Sequence, residues 1–282
     1  MKLIPVETGQ NYTTLQKINS SNTNQIDRLS VQVTLCGLSF LISSSETDKA
    51  FVIKQPFDVT KTPEELLEAL EIAFKKEEKL KQAFTSVTVL FGSQYYTLVP
   101  SSLFEETKAS EYLKFNTKIL PNDFISFDEV ETHDMKLVYI PFANVINYVF
   151  DKFGDFKYFH TTTVLLKHFL EKEKFTLGSL VILHVEQDWF DCFVFNNGAL
   201  QLCNSYPYKT PEDFIYFVLF VFEQLNINPE TSMVKLCGAI STESSLYKIL
   251  YKYIRHISFV ENTSFLIENE QPQENLALKL FS

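Results

Sequence analysis

The chain has 282 residues, of which 45% are hydrophobic, and it carries a formal net charge of -10 at pH 7. The hydrophobic share is enough for a core and excludes a wholly disordered chain, and the length suits one large domain or two modest ones. The negative charge, with only Arg28 and Arg255 as arginines, argues against binding nucleic acid or an anionic membrane, since both attract clustered cations.

No segment reads as a signal peptide or a membrane span. Pro5, Glu7 and Gly9 interrupt the first residues, and the longest apolar run, 214–222, is far shorter than the ~20 residues that cross a bilayer. The cysteines lie in strand-like segments without CxxC spacing, at Cys36, Cys192, Cys203 and Cys237. We therefore expect a cytoplasmic protein without disulfide bonds.

The first half of the chain begins with a polar stretch, 1–24, which we expect to be a flexible tail. Apolar and polar residues then alternate over 29–35, as in a half-buried strand. Two further strand-like segments follow at 38–42 and 51–53. The pattern predicts a three-stranded antiparallel meander.

A helix with a strong start signal follows the meander. Thr62 suits the N-cap, Pro63 the first helical position, and Glu65 completes a capping box. A strand to Phe91 comes next, and we take 137–140 as the last strand of this half.

The second half repeats this order of elements. Three strand-like segments are followed by a helix capped at Thr210, a strand over 233–237, a helix over 244–254 and a final strand near 257–260. Asn197-Gly198 predicts a two-residue hairpin turn, because both positions tolerate positive φ.

The two halves share a short motif, Lys-Thr-Pro-Glu followed by an acid, at 61–65 and 209–213. Such helix starts are common, so the motif alone also fits chance recurrence. Matching strands on both sides favour a true internal duplication. We predict an α/β fold of two lobes, each a five-stranded mixed sheet with helices, divided as tail 1–24, first lobe with connecting helix 25–175, and second lobe with C-terminal tail 176–282.

This order resembles the ribonuclease-H-like lobes of the actin-like ATPase superfamily. The likeness extends to the strand and proline of 137–141 and to the segment 159–166, which is similar to the start of the connecting helix there. More narrowly, the chain over about 25–265 resembles an uncharacterised bacterial family of unknown function with this fold. The resemblance implies ATP and Mg²⁺ between the lobes, held by two hairpin loops with Asp followed by Gly and by a Gly-Gly turn near the adenosine.

The chain departs from that pattern at each place. The first hairpin keeps Gly37 but has Leu35 where the aspartate is expected. The second offers Glu186 and Asp188 without a glycine, followed by two bulky aromatic residues, and the adenosine turn keeps one glycine, Gly238. Because backbone amides approach phosphates closely only where side chains are small, we expect a degenerate nucleotide site, no cofactor and a non-catalytic scaffold. The alternative is a divergent ATPase or kinase that uses the interlobe cleft, with Asp188 or Glu186 on the metal.

Two histidines have possible chemistry. His184 and Glu186 lie two residues apart on a strand, so their side chains point to one face of the sheet. Together with Asp188 they could supply the ligands of a metal site. We favour the simpler interpretation, in which His184 is a core histidine beside a carboxylate. His160, in aromatic surroundings, is expected to be a hydrogen-bonded residue between the lobes rather than a general base.

Counting outward from the turn at Asn197-Gly198 places Cys192 directly opposite Cys203. The predicted pair is a hydrogen-bonded one with widely spaced backbones, so we expect two packed thiols and no disulfide.

The apolar run 214–222 is hydrophobic on every side of a helix, unlike its counterpart in the first half. A helix of that kind must be covered all round. Burial between the lobes is one explanation; contact with another protein, a second copy or a different one, is the other. The interface candidates are Phe214, Phe217, Phe220, Phe222 and His160.

Overall fold

The computed structural model describes residues 27–44, 50–120, 123–261, 271 and 273–281. The strands are β1 (Asp27–Thr34), β2 (Gly37–Ser44), β3 (Ala50–Pro56), β4 (Ser86–Phe91), β5 (Tyr96–Pro100), β6 (Ser126–Val130), β7 (Met135–Tyr139), β8 (Lys157–His160), β9 (Ser179–Val185), β10 (Trp189–Asn196), β11 (Ala199–Pro207), β12 (Met233–Gly238) and β13 (His256–Phe259). The helices are α1 (Pro63–Lys76), α2 (Ala109–Leu113), α3 (Ala143–Phe153), α4 (Thr161–Lys172), α5 (Pro211–Gln224), α6 (Ser245–Tyr253) and α7 (Leu276–Lys279). Within these residues, no helix has the length and apolar character needed to cross a membrane.

Two five-stranded sheets have the same topology. The first has the order β3-β2-β1-β4-β8 and the second β11-β10-β9-β12-β13. In each, the first three strands in the chain pair antiparallel, and the last two join parallel to the first. The predicted α/β fold with two five-stranded mixed sheets is confirmed.

The predicted last strand of the first half is wrong. Residues 135–139 form β7, which pairs antiparallel with β5 and β6 in a separate three-stranded sheet. This sheet and α2 are inserted between β4 and α3, and they enclose a small core of their own around Leu113 and Val138. The fifth strand of the main sheet is β8, a segment of four residues that runs directly into α4.

The duplicated motif is a pair of helix N-caps, as predicted. The Thr62 hydroxyl accepts a hydrogen bond from the Glu65 amide, and the Glu65 carboxylate accepts one from the Thr62 amide. Thr210 and Asp213 repeat both bonds at the start of α5. The backbone bonds at Lys209 and Thr210 lower the pKa of Asp213. Each box satisfies amides that the first helical turn leaves without partners.

The hairpin of β10 and β11 corrects the cysteine prediction. Asn197 and Gly198 have φ of 48° and 76°, as a two-residue turn requires. A β-bulge then shifts the register, because Phe195 pairs with Leu200 whereas Val194 pairs with Leu202. Cys203 therefore lies opposite Phe193 and not opposite Cys192. All four cysteines lie among the described residues, and none of them forms a disulfide bond.

By compactness the described residues divide into two units: those up to Thr163 together with those from Ala277 onward, and Val164–Leu276. The predicted lobe boundary at 175 and 176 stays a prediction. The proposed tail, 1–24, lies outside the described residues.

The second sheet presents different groups on its two faces. Alternate residues such as Leu183 and Cys192 join the core beneath α5 and α6. On the other face, Phe193 contacts Phe169 of α4 at a ring-centroid distance of 5.1 Å. His184 is the neighbour of Leu183 in β9, and Asp191 is the neighbour of Cys192 in β10. Both therefore point to the second face, because side chains alternate along a strand.

Candidate functional site

The turn between β1 and β2 is closed by its own hydrogen bonds. The Thr34 hydroxyl accepts from the Cys36 amide at 3.2 Å and donates to the Gly37 carbonyl at 3.0 Å. The carbonyls of Leu35 and Cys36 accept backbone bonds from Lys61 and Phe57, both at 2.8 Å. The turn is thus tied to the segment that leads into α1.

Gly37 has a packing role. A Cβ at this position would lie 3.1 Å from the Gln55 carbonyl oxygen and 3.2 Å from the Pro56 Cα. The missing side chain lets β2 and β3 approach at their ends, a reason for glycine that requires no phosphate.

The turn between β9 and β10 is closed in a similar way. The Glu186 amide donates to the Trp189 carbonyl at 2.9 Å, and the Tyr208 amide donates to the Asp188 carbonyl at 2.9 Å. The Tyr208 hydroxyl donates to the Glu186 carbonyl. Trp189 and the next residue, Phe190, are buried, so the bulky pair seen in the sequence belongs to the core.

A buried carboxylate–histidine–carboxylate cluster lies where β9 meets this turn. His184 Nδ1 is 3.1 Å from an Asp191 oxygen, and its Nε2 is 3.5 Å from a Glu186 oxygen. Burial alone lowers the pKa of His184, but the hydrogen bond to Asp191 and the charges of Glu186 and Asp191 outweigh it, so the pKa is raised. The cluster stabilises an imidazolium inside the second unit.

Glu186 lies beside His184, as the sequence predicted. Asp188 does not complete a metal site with these two residues. Among the residues with described positions, no group of three His, Cys, Asp or Glu side chains could hold a metal ion. Asp191 was missed by sequence reasoning. Its signal was a lone acid inside the apolar strand 189–195, directly opposite His184 in the antiparallel register.

His184 gives the protein a pH-dependent stability. Its folded-state pKa lies above the unfolded value of 6.5, so its contribution is complete below that pH and is lost as pH rises through the folded value. We expect the free energy of unfolding, measured with denaturant from about pH 6 to pH 9, to fall more for the wild type than for His184→Gln, which does not titrate. Parallel curves for the two proteins would contradict the assignment.

Gly238, at the end of β12, occupies a crowded turn. Its φ is 87°, and a Cβ here would lie 2.2 Å from the Val185 carbonyl oxygen and 3.1 Å from His184 Cδ2. The following amide, of Ala239, donates to that same Val185 carbonyl at 2.7 Å. Glycine is required here so that β12 ends against β9.

The amide of Gly238 is occupied by the C-terminal segment. It donates to the Gln273 carbonyl at 3.1 Å, and the Gln273 side-chain amide donates to the Ile240 carbonyl at 3.4 Å. Gln273 is buried, as are Leu276 and Leu278 just after it. Nothing in the local pattern at Gln273 pointed to this contact.

His160 lies in a buried polar network of the first unit. Its Nδ1 accepts from the Thr162 amide at 3.2 Å, so the proton is assigned to Nε2, which faces the Ser93 hydroxyl at 3.4 Å. Its own amide donates to Asp128 at 2.7 Å, and Asp128 also accepts from the hydroxyls of Thr163 and Tyr139. The pKa of Tyr139 is raised, first by burial and then by the charge of Asp128.

Burial of His160 excludes it as an interface residue. The ring packs between Tyr96 and Tyr139, each at a centroid distance of 5.0 Å, and the residue is fully buried. The predicted hydrogen bonding of this histidine is present; the surface role is wrong.

The four phenylalanines proposed for an interface divide into two groups. Phe214 and Phe222 are buried in the core of the second unit and are corrected to core residues. Phe217 is half-buried against Tyr206, whereas Phe220 is exposed. The expectation that α5 is covered all round fails within this chain, because Tyr216 is also exposed.

The comparisons with known proteins agree with this architecture. A family model described as Protein of unknown function (DUF3822) matches residues 16–257. A solved Bacteroides thetaiotaomicron protein with actin-like ATPase fold and unknown function is similar at 22% identity and a TM-score of 0.77, covering 91% of this chain and 95% of that one. The PilM–PilN type IV pilus biogenesis complex is similar at 12% identity and a TM-score of 0.55, covering 90% and 96%. A search of curated protein sequences finds no match.

Proposed function

The chain belongs to the DUF3822 family of proteins of unknown function and has the actin-like ATPase fold, and we propose that it is a non-catalytic, protein-binding scaffold with a degenerate nucleotide site. In the actin-like ATPases that this chain resembles, backbone groups of two hairpin turns and a glycine turn hold the nucleotide. The proposal depends on whether the corresponding groups of this chain are available for a nucleotide.

One observation carries the proposal: the chain's own groups use the glycine-turn amide. The Gly238 amide donates to the Gln273 carbonyl, and a phosphate or ribose would have to displace that bond. A backbone donor that already has an acceptor gains little by exchanging that acceptor for another.

The two hairpin turns support the same proposal. The Cys36 amide is held by the Thr34 hydroxyl and the Glu186 amide by the Trp189 carbonyl. At the second hairpin, Glu186 lies beside His184, so its carboxylate serves the buried cluster. A carboxylate that already interacts with a buried histidine ring is less available as a ligand for Mg²⁺.

A binding role suits the fold. One chain of this fold is found in a solved complex of type IV pilus biogenesis, so the architecture itself is compatible with holding a partner. We further propose the cytoplasm as its compartment, on the ground that its four cysteines are spread singly along the chain without CxxC spacing, as in proteins kept reduced.

Calorimetric titration with MgATP and MgADP tests the proposal. We expect no saturable binding and no phosphate release above that of buffer. Asp188→Ala, which removes a half-buried carboxylate of the second turn, should leave both results unchanged. Saturable binding that Asp188→Ala abolishes would overturn the scaffold proposal and support the divergent ATPase or kinase instead.

A further inference from the structure

Helix α5 carries two exposed aromatic side chains on its outer side. Tyr216 is 62% exposed and Phe220 is 42% exposed, and their rings stack at a centroid distance of 6.5 Å. They are four residues apart and therefore adjacent on the helix surface. Phe214 and Val218, on the opposite side of α5, lie in the core, so the exposed pair is additional to what the folding of the second unit requires.

Ring contacts join this pair to the edge of the second sheet. The Tyr216 ring meets the Phe217 ring edge to face at a centroid distance of 5.3 Å. Phe217 stacks in turn on Tyr206 of the edge strand β11 at 5.4 Å. Phe217 and Tyr206 are both half-buried. The four rings therefore form one continuous aromatic surface, which we call the α5 patch.

Acidic side chains border the patch at both ends of the helix. Glu212, in the first turn of α5, and Glu223, in the last turn, are both exposed. At 3.6 residues per turn, these two residues and the exposed aromatic pair fall within an arc of about 80° on the helix surface. The sequences of α5 and β11 contain no lysine or arginine. The patch is therefore apolar along its centre and negatively charged at its ends.

Helix α6 lies on the other flank of α5. It connects β12 to β13, at the edge of the sheet opposite β11. Its exposed lysines, Lys248 and Lys252, are therefore on the side of α5 away from Tyr206. The surface from β11 to the outer side of α5 keeps its acidic character.

The first unit supplies an internal comparison, because α1 begins with the same capping motif as α5. Counted from Pro63 and Pro211, the residue that matches Tyr216 is Glu68. Glu68 is exposed, as expected on the solvent side of an amphipathic helix. The same position of the same fold is thus acidic in one unit and aromatic in the other. Since the fold does not require a tyrosine there, its reason lies in what that surface binds.

The last turn of α5 carries the less favourable charge. A helix C-terminus has a partial negative charge, which favours lysine or arginine in the last turn. In α1 that turn holds Lys75 and Lys76, whereas the matching residues of α5 are Glu223 and Gln224. Glu223 thus opposes the helix dipole. Charges that break a local rule of stability are expected at functional surfaces.

We propose that the α5 patch binds a basic amphipathic helix of another protein. Aliphatic side chains of the partner, spaced three and four residues apart, lie along Tyr216 and Phe220. Its lysines or arginines face Glu212 and Glu223, and cations are also attracted to the faces of exposed aromatic rings. The net charge of -10 draws such a partner in from a distance. This inference rests on the proposed binding role and names the chemistry of the partner.

A second copy of this chain is the wrong partner for the patch. If two α5 helices packed antiparallel across a two-fold axis, Glu212 of each copy would face Glu223 of the other. If they packed parallel, each acid would face its own equivalent. Like charges meet in both arrangements, which disfavours this dimer.

Fluorescence anisotropy of a labelled peptide tests the proposal with the full chain. The probe is a leucine–lysine peptide of about 18 residues, long enough to form a helix, with leucine at every third or fourth position. Its control has glutamate in place of each lysine. We expect saturable one-to-one binding of the lysine probe and none of the glutamate probe. Absence of saturable binding by the lysine probe would overturn the proposal.

Tyr216→Glu separates the patch from simple attraction between opposite charges. It removes a central ring, so we expect the lysine probe to bind at least about tenfold more weakly. Attraction to net charge alone predicts the reverse, because the variant is more acidic, and equal or tighter binding would overturn the proposal. The matched position in α1 already carries glutamate, so the variant should fold, as an unchanged far-ultraviolet circular dichroism spectrum will verify.

Glu223→Lys tests the acidic border of the patch. It gives α5 the charge that α1 has at this place, so the unfolding temperature should stay the same or rise. Binding of the lysine probe should weaken by about three- to tenfold. Glu68→Lys is the control, since it makes the same change in net charge on α1 and should leave binding unchanged. Equal weakening by the two variants would show that binding follows net charge and would overturn the proposal.

Light scattering at micromolar concentration tests the second copy as occupant. A wild-type dimer that Tyr216→Glu dissociates would assign the patch to self-association and overturn the proposal. The inference also fails separately from the degenerate site. A chain that binds neither the lysine probe nor MgATP refutes the inference and leaves that site standing, and a chain that binds both does the reverse.

Discussion

Gly238→Ala is expected to destabilise the protein by more than about 3 kcal/mol, or to prevent its folding. Two effects add. A residue with a side chain resists the φ of 87° at this turn, and the new Cβ would lie 2.2 Å from the Val185 carbonyl oxygen. Because both groups are backbone at the ends of packed strands, neither moves aside without disturbing β9 or β12.

Gly154→Ala is the matched control for that substitution. Gly154 has a φ of 75°, and an added Cβ there meets no atom within 4 Å. Its ψ of -126° lies outside the left-handed helical region, so this variant should lose the conformational part alone, on the order of 1–3 kcal/mol. Chemical denaturation of both variants separates the terms, and equal losses would show that the contact with Val185 is unimportant.

Asp191→Ala is expected to cost about 3–5 kcal/mol at about pH 6, where the raised pKa keeps His184 protonated, since it removes the closer of two carboxylates from a buried histidine. His184 and Asp191 are both almost fully inaccessible to solvent. Without Asp191, an imidazolium at this place loses its hydrogen-bonded partner, and the pKa of His184 falls as burial dominates. The loss should shrink at high pH, where His184 is neutral in both proteins.

Asp188→Ala serves as the control for Asp191→Ala, because Asp188 lies three residues away on the half-exposed turn. We expect it to change the free energy of unfolding by less than about 1 kcal/mol. Similar losses for the two variants would mean that the cluster contributes little to stability.

Much of the fold was readable because its signals are local. The caps at Thr62 and Thr210 need only four residues each, and the alternation of β1 needs only the strand itself. The duplication then supplied the strand order. The segment 135–139 also has a clear strand pattern, yet its pattern does not reveal which sheet it joins. Its assignment depended on β5 and β6, which flank it in an inserted sheet that has no counterpart between β12 and α6.

The site was harder to predict, since its contacts join distant parts of the chain. One bulged residue on β11, Gln201 between Leu200 and Leu202, shifted every cross-strand pair farther from the turn, so that Cys192 and Cys203 do not face each other. The sequence shows Asp191 as a single acidic residue within an apolar strand, but its partner, His184, follows only from the register of β9 and β10. The contact of Gln273 with Gly238 spans more than thirty residues and has no sequence signature.

The central claim is that the chain itself occupies the groups that would hold a nucleotide. Nuclear magnetic resonance of the labelled protein measures this at the amides of Cys36, Glu186 and Gly238. We predict that saturating MgATP leaves all three resonances in place and that the Gly238 amide is protected from hydrogen exchange by its bond to Gln273. A saturable shift at Gly238, with release of that protection, would contradict the account.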